Sequence, residues 1–320
     1  MRAVTATLVL ALVVVSGCGM FSGGGGENKI TPERTTLRVG VGNGIDTAPL
    51  RMAVADGAFA RAGLRVDLVE EPDQDRALSR LASGDLDVAF ASDVALFKAA
   101  AAGTAFQLQG EAYTSSQYTM ALVTLPDSKY TDPTKKKTTT VAVNMLDDLG
   151  TLTTRSMLAA SGVNPEKVKF IVRSFDEMPD ALRAGDADAA WMTEPFITKA
   201  AEQLGAKIVV DSARGATIDF PLSAYASSGL FAQSNPRTLS VFRSALGAAQ
   251  QRGDDQGAIR QALPRVAGID QTTAALVALG SYPTSLNGVR LQRVADLMHS
   301  SGMLANRLDV QALLPKGDLP

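Results

Sequence analysis

The sequence predicts an α/β chain built as two lobes of similar plan, and three observations carry that expectation. The first is an internal repeat. Leu81-Ala82-Ser83-Gly84-Asp85-Leu86-Asp87-Val88-Ala89-Phe90-Ala91-Ser92-Asp93 reads against Leu182-Arg183-Ala184-Gly185-Asp186-Ala187-Asp188-Ala189-Ala190-Trp191-Met192-Thr193-Glu194, 101 residues later. Leu, Gly, both Asp and an Ala recur in place, and the same offset pairs Asn43 with Asn144 and Asp46 with Asp147. The second is strict alternation of strand-like and helix-like segments, which calls for a sheet with helices on both faces. The third is bulk: 46% hydrophobic and 20% charged residues in a chain of 320 can bury a large core. Two lobes make the cleft between them the first place to look for function.

Element by element, Leu37–Gly42 alternates and ends on Gly and Asn, a strand running into a turn. Pro49 opens a helix with Leu50, Val54 and Phe59 at helical spacing, stopped by Gly63. Leu64–Val69 is a strand, Gln74–Ser83 a helix, Val88–Ala91 a short buried strand, Asp93–Ala102 a helix ended by Gly103, and Phe106 begins another strand. The second lobe repeats the plan: strand Thr139–Val143, helix Thr151–Ala160, strand Val168–Val172, helix Met178–Ala184, strand Ala189–Met192, helix Phe196–Leu204 and strand Lys207–Val210. Tyr118–Thr124 and Ser223–Phe231 are the expected hinge crossings. Beyond Asn235 the pattern turns helical, as a tail packing on the first lobe. The expected division is lobe 1 over 36–117 plus 226–320 and lobe 2 over 118–225.

The N-terminus reads as an export signal. Arg2 precedes an apolar run, Ala3 to Val15, too short for a bilayer span of about 20 residues. Residues 1–17 are therefore expected to be removed, with Cys18, the sole cysteine, as the lipidated mature N-terminus; Val15-Ser16-Gly17-Cys18 resembles the bacterial lipobox. One cysteine permits no internal disulfide. Residues 18–35, with Gly23 to Gly26, form a tether holding the body within roughly 20–25 Å of the lipid. Removing residues 1–17 takes away Arg2 alone and leaves 30 basic against 33 acidic residues, a net charge of −3. That balance excludes a nucleic-acid face, and Lys135-Lys136-Lys137 reads as a solvated loop.

In doubly wound sheets, ligands sit beyond the carboxyl ends of strands, where loops feed helix N-termini. The duplicated positions fall there: Asn43 and Asp46, Ser92-Asp93, Asn144 and Gly150-Thr151, and Thr193-Glu194. Asn offers a donor and an acceptor, and helix starts offer unpaired N–H groups. Trp191 and Tyr113 supply flat apolar walls, with Tyr225 and Ser223 near the second crossing. Plainer roles stand beside these. Ser92-Asp93 and Thr193-Glu194 also satisfy ordinary helix capping. Trp191 occupies the register of the core residue Phe90, and the tyrosines and Ser223 also suit hinge packing. Gly84-Asp85-x-Asp87 and its twin read as turns before strands and lack a third metal ligand; neither metal nor cofactor is expected.

Four phrases fall in family order: Ala53-x-x-Asp56-Gly57-x-Phe59-x-x-Ala62-Gly63-Leu64, Leu81-x-x-Gly84-x-x-Asp87-Val88-Ala89, Gly162-Val163-Asn164-Pro165-x-x-Val168 and Asp188-Ala189-Ala190-x-x-x-Glu194-Pro195-Phe196. Over about Leu37 to Leu314 the chain resembles the solute-binding proteins of ABC importers for nitrate, sulfonates, taurine and thiamine-related pyrimidines. The resemblance implies a two-lobed periplasmic-binding-protein fold (type II-like), with two hinge crossings and a helical C-terminal tail. It implies closure on one small ligand and delivery to a membrane permease and its ATPase. Two competitors remain. Pyrimidine-synthase-like enzymes share the fold but use histidine and iron; here the only histidine, His299, sits in an amphipathic helix, and no nucleophile elbow or phosphate loop appears. A ligand-sensing adaptor lipoprotein would use the same cleft. For the ligand, Asp46, Asp93, Asp147 and Glu194 crowd the expected rim, with only Arg155 nearby. That crowding favours a neutral or amine-bearing molecule, such as an aminopyrimidine, over sulfonate, taurine or nitrate.

Overall fold

The computed structural model describes residues 31–317. The export signal, Cys18 and most of the expected tether lie outside the described residues. Ten strands form two five-stranded sheets. The first takes β1 (Thr36–Val41), β2 (Arg65–Glu70), β3 (Val88–Ser92) and β4 (Phe106–Thr114); the second takes β5 (Met120–Thr124), β6 (Thr139–Val143), β7 (Val168–Val172), β8 (Ala189–Thr193) and β9 (Lys207–Asp211). The last strand, β10 (Pro221–Ser228), returns to the first sheet, giving orders β2-β1-β3-β10-β4 and β7-β6-β8-β5-β9. In each sheet, strands of the βαβ units run parallel, and the strand entered from the other lobe, β10 or β5, runs antiparallel beside the third one.

Helices α1 (Ala48–Ala55), α2 (Ala58–Arg61), α3 (Gln74–Ser83) and α4 (Asp93–Ala101) flank the first sheet; α5 (Leu149–Ala160), α6 (Met178–Ala184) and α7 (Phe196–Leu204) flank the second. After β10 come α8 (Gly229–Ser234), α9 (Pro236–Gln251), α10 (Gln256–Ala267), α11 (Gln271–Leu276) and α12 (Gly288–Ser300), the expected helical tail. The expected helix from Pro49 breaks at Asp56-Gly57, because Gly57 takes φ 71°, a left-handed conformation that costs glycine little. Gly84 and Gly185 end α3 and α6 in the same conformation, so the repeated glycine stops equivalent helices. The repeated aspartates then fasten strands: Asp87 accepts from the Arg38 backbone N–H and Asp188 from that of Thr140, both at 2.8 Å.

Two expectations shift. Within the expected 18–35 segment, Glu33 is docked on the body: its carboxylate accepts from the backbone N–H of Thr238 (2.7 Å) and Arg237 (3.1 Å) at the start of α9. The second crossing also comes earlier than Tyr225, since β10 begins at Pro221 and lies wholly in the first sheet. The chain thus crosses between sheets over residues 115–119 and 212–220. Ser115 joins the two crossings: its N–H donates to Phe220 O (2.8 Å), its hydroxyl donates to Thr217 O (3.0 Å), and Phe220 N–H donates back to that hydroxyl (2.8 Å).

Candidate functional site

A cleft of about 320 Å³ opens between the sheets, where β1, β3, β6 and β8 run out into their loops. Eight of the twelve residues picked out by sequence line it: Asn43, Asp46, Ser92, Tyr113, Asn144, Trp191, Thr193 and Glu194. The other four do not. Asp93 is buried beneath β3 near the Glu111–Arg290 ion pair; burial and the Glu111 charge hold its carboxyl well above the usual range. Gly150 lies behind Trp191, where a Cβ would meet the indole at 2.9 Å. Thr151 is turned to the start of α5, its hydroxyl accepting from Asp148 N–H (3.1 Å). Tyr225 is a core residue, its ring 5.9 Å from Phe90 and 6.3 Å from Phe242. Asp93 and Thr151 stand in the first turns of α4 and α5 and Tyr225 lies midway along β10, each with its side chain turned from the cleft.

Two polar groups of the cleft lack the partner that burial demands, and a third keeps spare acceptor capacity. Asn144 Oδ1 and Trp191 Nε1 are buried with no hydrogen-bond partner among the described residues. Asp46 receives one side-chain hydrogen bond, from the Ser223 hydroxyl (2.9 Å). Burial pushes its carboxyl up to about 7, with that bond and its own backbone N–H pulling the other way. Glu71 also lines the cleft, but Arg76 (2.6 Å) and Arg80 (3.2 Å) match its charge from behind. The Glu194 carboxylate is committed to structure: it accepts from Thr198 N–H (3.1 Å), the Thr198 hydroxyl (2.9 Å) and Ala278 N–H (2.9 Å). Burial still raises its pKa. Among the described residues no lysine or arginine lines the cleft.

The capping expectations divide. Ser92 does cap α4, accepting from Ala95 N–H (3.0 Å). Thr193 does not cap α7, whose N-cap is Pro195. Sequence reasoning missed the aromatic wall formed with Trp191 by Phe175, 6.3 Å from the indole, and Phe196, stacked 4.5 Å from Phe175. It also missed the contacts between lobes. Asp148 accepts from Gln74 Nε2 (2.6 Å) and the Ser92 hydroxyl (2.7 Å), while Gln74 Oε1 accepts from Ser92 N–H (3.0 Å). Asn43 Nδ2 donates across to Glu194 O at 3.3 Å. Strand pairing explains the miss. Val39 pairs with Val88 and Val141 with Ala189, so the first strands are offset by 102 residues and the third by 101. Asp46 therefore corresponds to Asp148 rather than to exposed Asp147, whose φ of 51° sets it in the turn.

Among the described residues no group of three His, Cys, Asp or Glu side chains is placed to hold a metal ion. The cleft thus brings together facing rims, an aromatic wall, an acceptor, a donor and a carboxyl group. The chain belongs to the NMT1-like family, whose model matches residues 30–267. In fold it is similar to the alkanesulfonate-binding protein SsuA from Xanthomonas axonopodis pv. citri, solved bound to MOPS. Identity to that protein is 18%, over 90% of this chain and 100% of that one, with a TM-score of 0.73. It is also similar to the periplasmic aliphatic sulphonate binding protein SsuA from Escherichia coli (16% identity, 89% and 93% of the chains, TM-score 0.72). The periplasmic nitrate-binding protein NrtA from Synechocystis PCC 6803 is a further likeness (15%, 88% and 86%, TM-score 0.71). These likenesses establish the periplasmic-binding-protein fold. No curated protein matches the chain in sequence.

Proposed function

We propose that the chain is an extracytoplasmic solute-binding lipoprotein, anchored through Cys18, that captures one small organic molecule by hinge closure and hands it to an ABC permease and its ATPase. It acts as a monomer and performs no chemistry on its cargo. Family membership and the two-lobed fold support the class. The cargo favoured is flat and amine-bearing, an aminopyrimidine being a fitting example. The observation that carries this choice is a cleft that no described lysine or arginine lines and in which the Asp46 carboxyl keeps free acceptor capacity.

A desolvated sulfonate or nitrate would face Asp46, Asp148 and Glu194 with no described cation in the lining; Arg260 and Lys98 act on Glu194 and Asp148 from outside it, and no cation offsets Asp46. An amino group finds Asp46 and Asn144 Oδ1 as acceptors, a ring nitrogen finds the Trp191 N–H, and the ring itself lies against the aromatic wall. Closure then follows from ligand contacts with both rims that the open form lacks. Calorimetry against aminopyrimidines, polyamines, taurine, alkanesulfonates and nitrate tests the reading. Binding by an amine-bearing heterocycle, weakened in Asp46→Asn, is expected. Selective binding of a sulfonate or nitrate would overturn the cargo class.

A further inference from the structure

Beside the cleft, a second pocket of about 200 Å³ sits between the lobes. Lys98 reaches it from α4 of the first lobe, Arg155 from α5 of the second, and Ser301 to Met303 of the tail close it. Lys98 Nζ donates to the backbone carbonyl of Asp147 (2.9 Å). The Arg155 guanidinium lies over the Phe170 ring, 5.5 Å from its centre, and its Nε is buried with no hydrogen-bond partner. Neither cation joins any of the ion pairs among the described residues. The only carboxylate lining the pocket, Asp147, leaves it one positive charge in excess.

Bringing two unpaired cations together across a closing interface is unfavourable, and a buried guanidinium N–H left empty adds desolvation cost. A small oxyanion removes both penalties. It accepts from the Arg155 Nε, where guanidinium geometry suits two oxygens at once, and from the Lys98 ammonium on the opposite lobe. We propose that this pocket binds a small oxyanion of the phosphate or sulfate class, and that the anion favours the closed arrangement of the lobes. Because the two cations come from different lobes, only the closed form presents the whole site. Linkage then requires the anion to shift the equilibrium toward closure, and cleft cargo and anion to strengthen each other's binding. The inference rests on hinge closure, not on the identity of the cleft cargo.

The test uses the full chain at constant ionic strength, with chloride exchanged for inorganic phosphate and, separately, sulfate. Binding is followed by calorimetry and closure by small-angle X-ray scattering. The expected result is one oxyanion per chain, a smaller radius of gyration on binding, and a dissociation constant raised at least tenfold in both Lys98→Gln and Arg155→Gln. Lys98 is solvent-facing, so its variant remains informative should Arg155→Gln fold poorly. Absence of binding, equal binding in both variants, or loss in one variant only would overturn the bridging site. Phosphate binding lost in Asp46→Asn but kept in Lys98→Gln would place the anion in the cleft and sink both readings. Failure of every amine-bearing compound would touch the cleft reading alone.

Discussion

Replacing Asp46 with Asn tests the central electrostatic feature of the cleft. Its carboxyl titrates at about 7 in the folded protein against an ordinary 3.8, because burial disfavours the charged form. Between those values the folded chain holds a proton that the unfolded chain has released, so stability falls as pH rises through that window and the full penalty stands above about 7. Three pKa units at ~1.4 kcal/mol each set a ceiling of about 4 kcal/mol. Asp46 is only half-buried and water reaches the cleft, so about 1–2 kcal/mol is the expected size. Asn keeps an oxygen to accept from Ser223 and removes the charge. The variant should therefore match the wild type near pH 4 and melt about 2–5 °C higher at pH 8. Thermal melts by circular dichroism at half-unit pH steps read this directly. Parallel profiles for the two proteins would refute the reasoning. An amine-bearing cargo should meanwhile bind Asp46→Asn at least tenfold more weakly at pH 8, and the difference should shrink near pH 5 as the wild-type carboxyl protonates.

Asp148→Ala removes both side-chain bonds that reach the second lobe from Gln74 and Ser92. Water compensates much of that loss in the open form, so cargo affinity should fall about tenfold, ~1.4 kcal/mol, with a larger radius of gyration by scattering. Gly150→Ala places a methyl 2.9 Å from the Trp191 ring and should cost ~1–3 kcal/mol in urea unfolding; an unchanged midpoint would mean that the indole moves aside freely.

Much of the fold is legible because its signals are local. Gly84, Gly185 and Gly205 stop their helices where the apolar period ends, and the predicted helices Gln74–Ser83, Met178–Ala184 and Phe196–Leu204 have those same bounds in the structure. The cleft is legible to the extent that it sits at strand ends, which is why Asn43, Asp46, Ser92 and Asn144 stand out. Side-chain direction is less legible. Asp93 begins α4 one residue beyond the cleft-lining Ser92, and Thr151 is the third residue of α5, two beyond the cleft-lining Leu149; rotation of about 100° per residue turns both from the cleft. Asp148 is hidden by the one-residue difference in offset between the first and third strands, a distinction visible only once the strands are paired. Ala278 carries no sequence signal at all. Its role is a backbone N–H brought beside Glu194 by the path of the tail.

That tail contact has a mechanical consequence. Thr273 on α11 donates to Glu202 on α7 (2.8 Å), and Ala278 N–H donates to Glu194 immediately before α7. The tail thus ties the lobes together in addition to the two covalent crossings and the contacts made by Asn43, Gln74 and Ser92. Opening must therefore either break this outer fastening or bend the tail with it. A segment outside the cleft lining, α11, therefore helps to hold the lobes together.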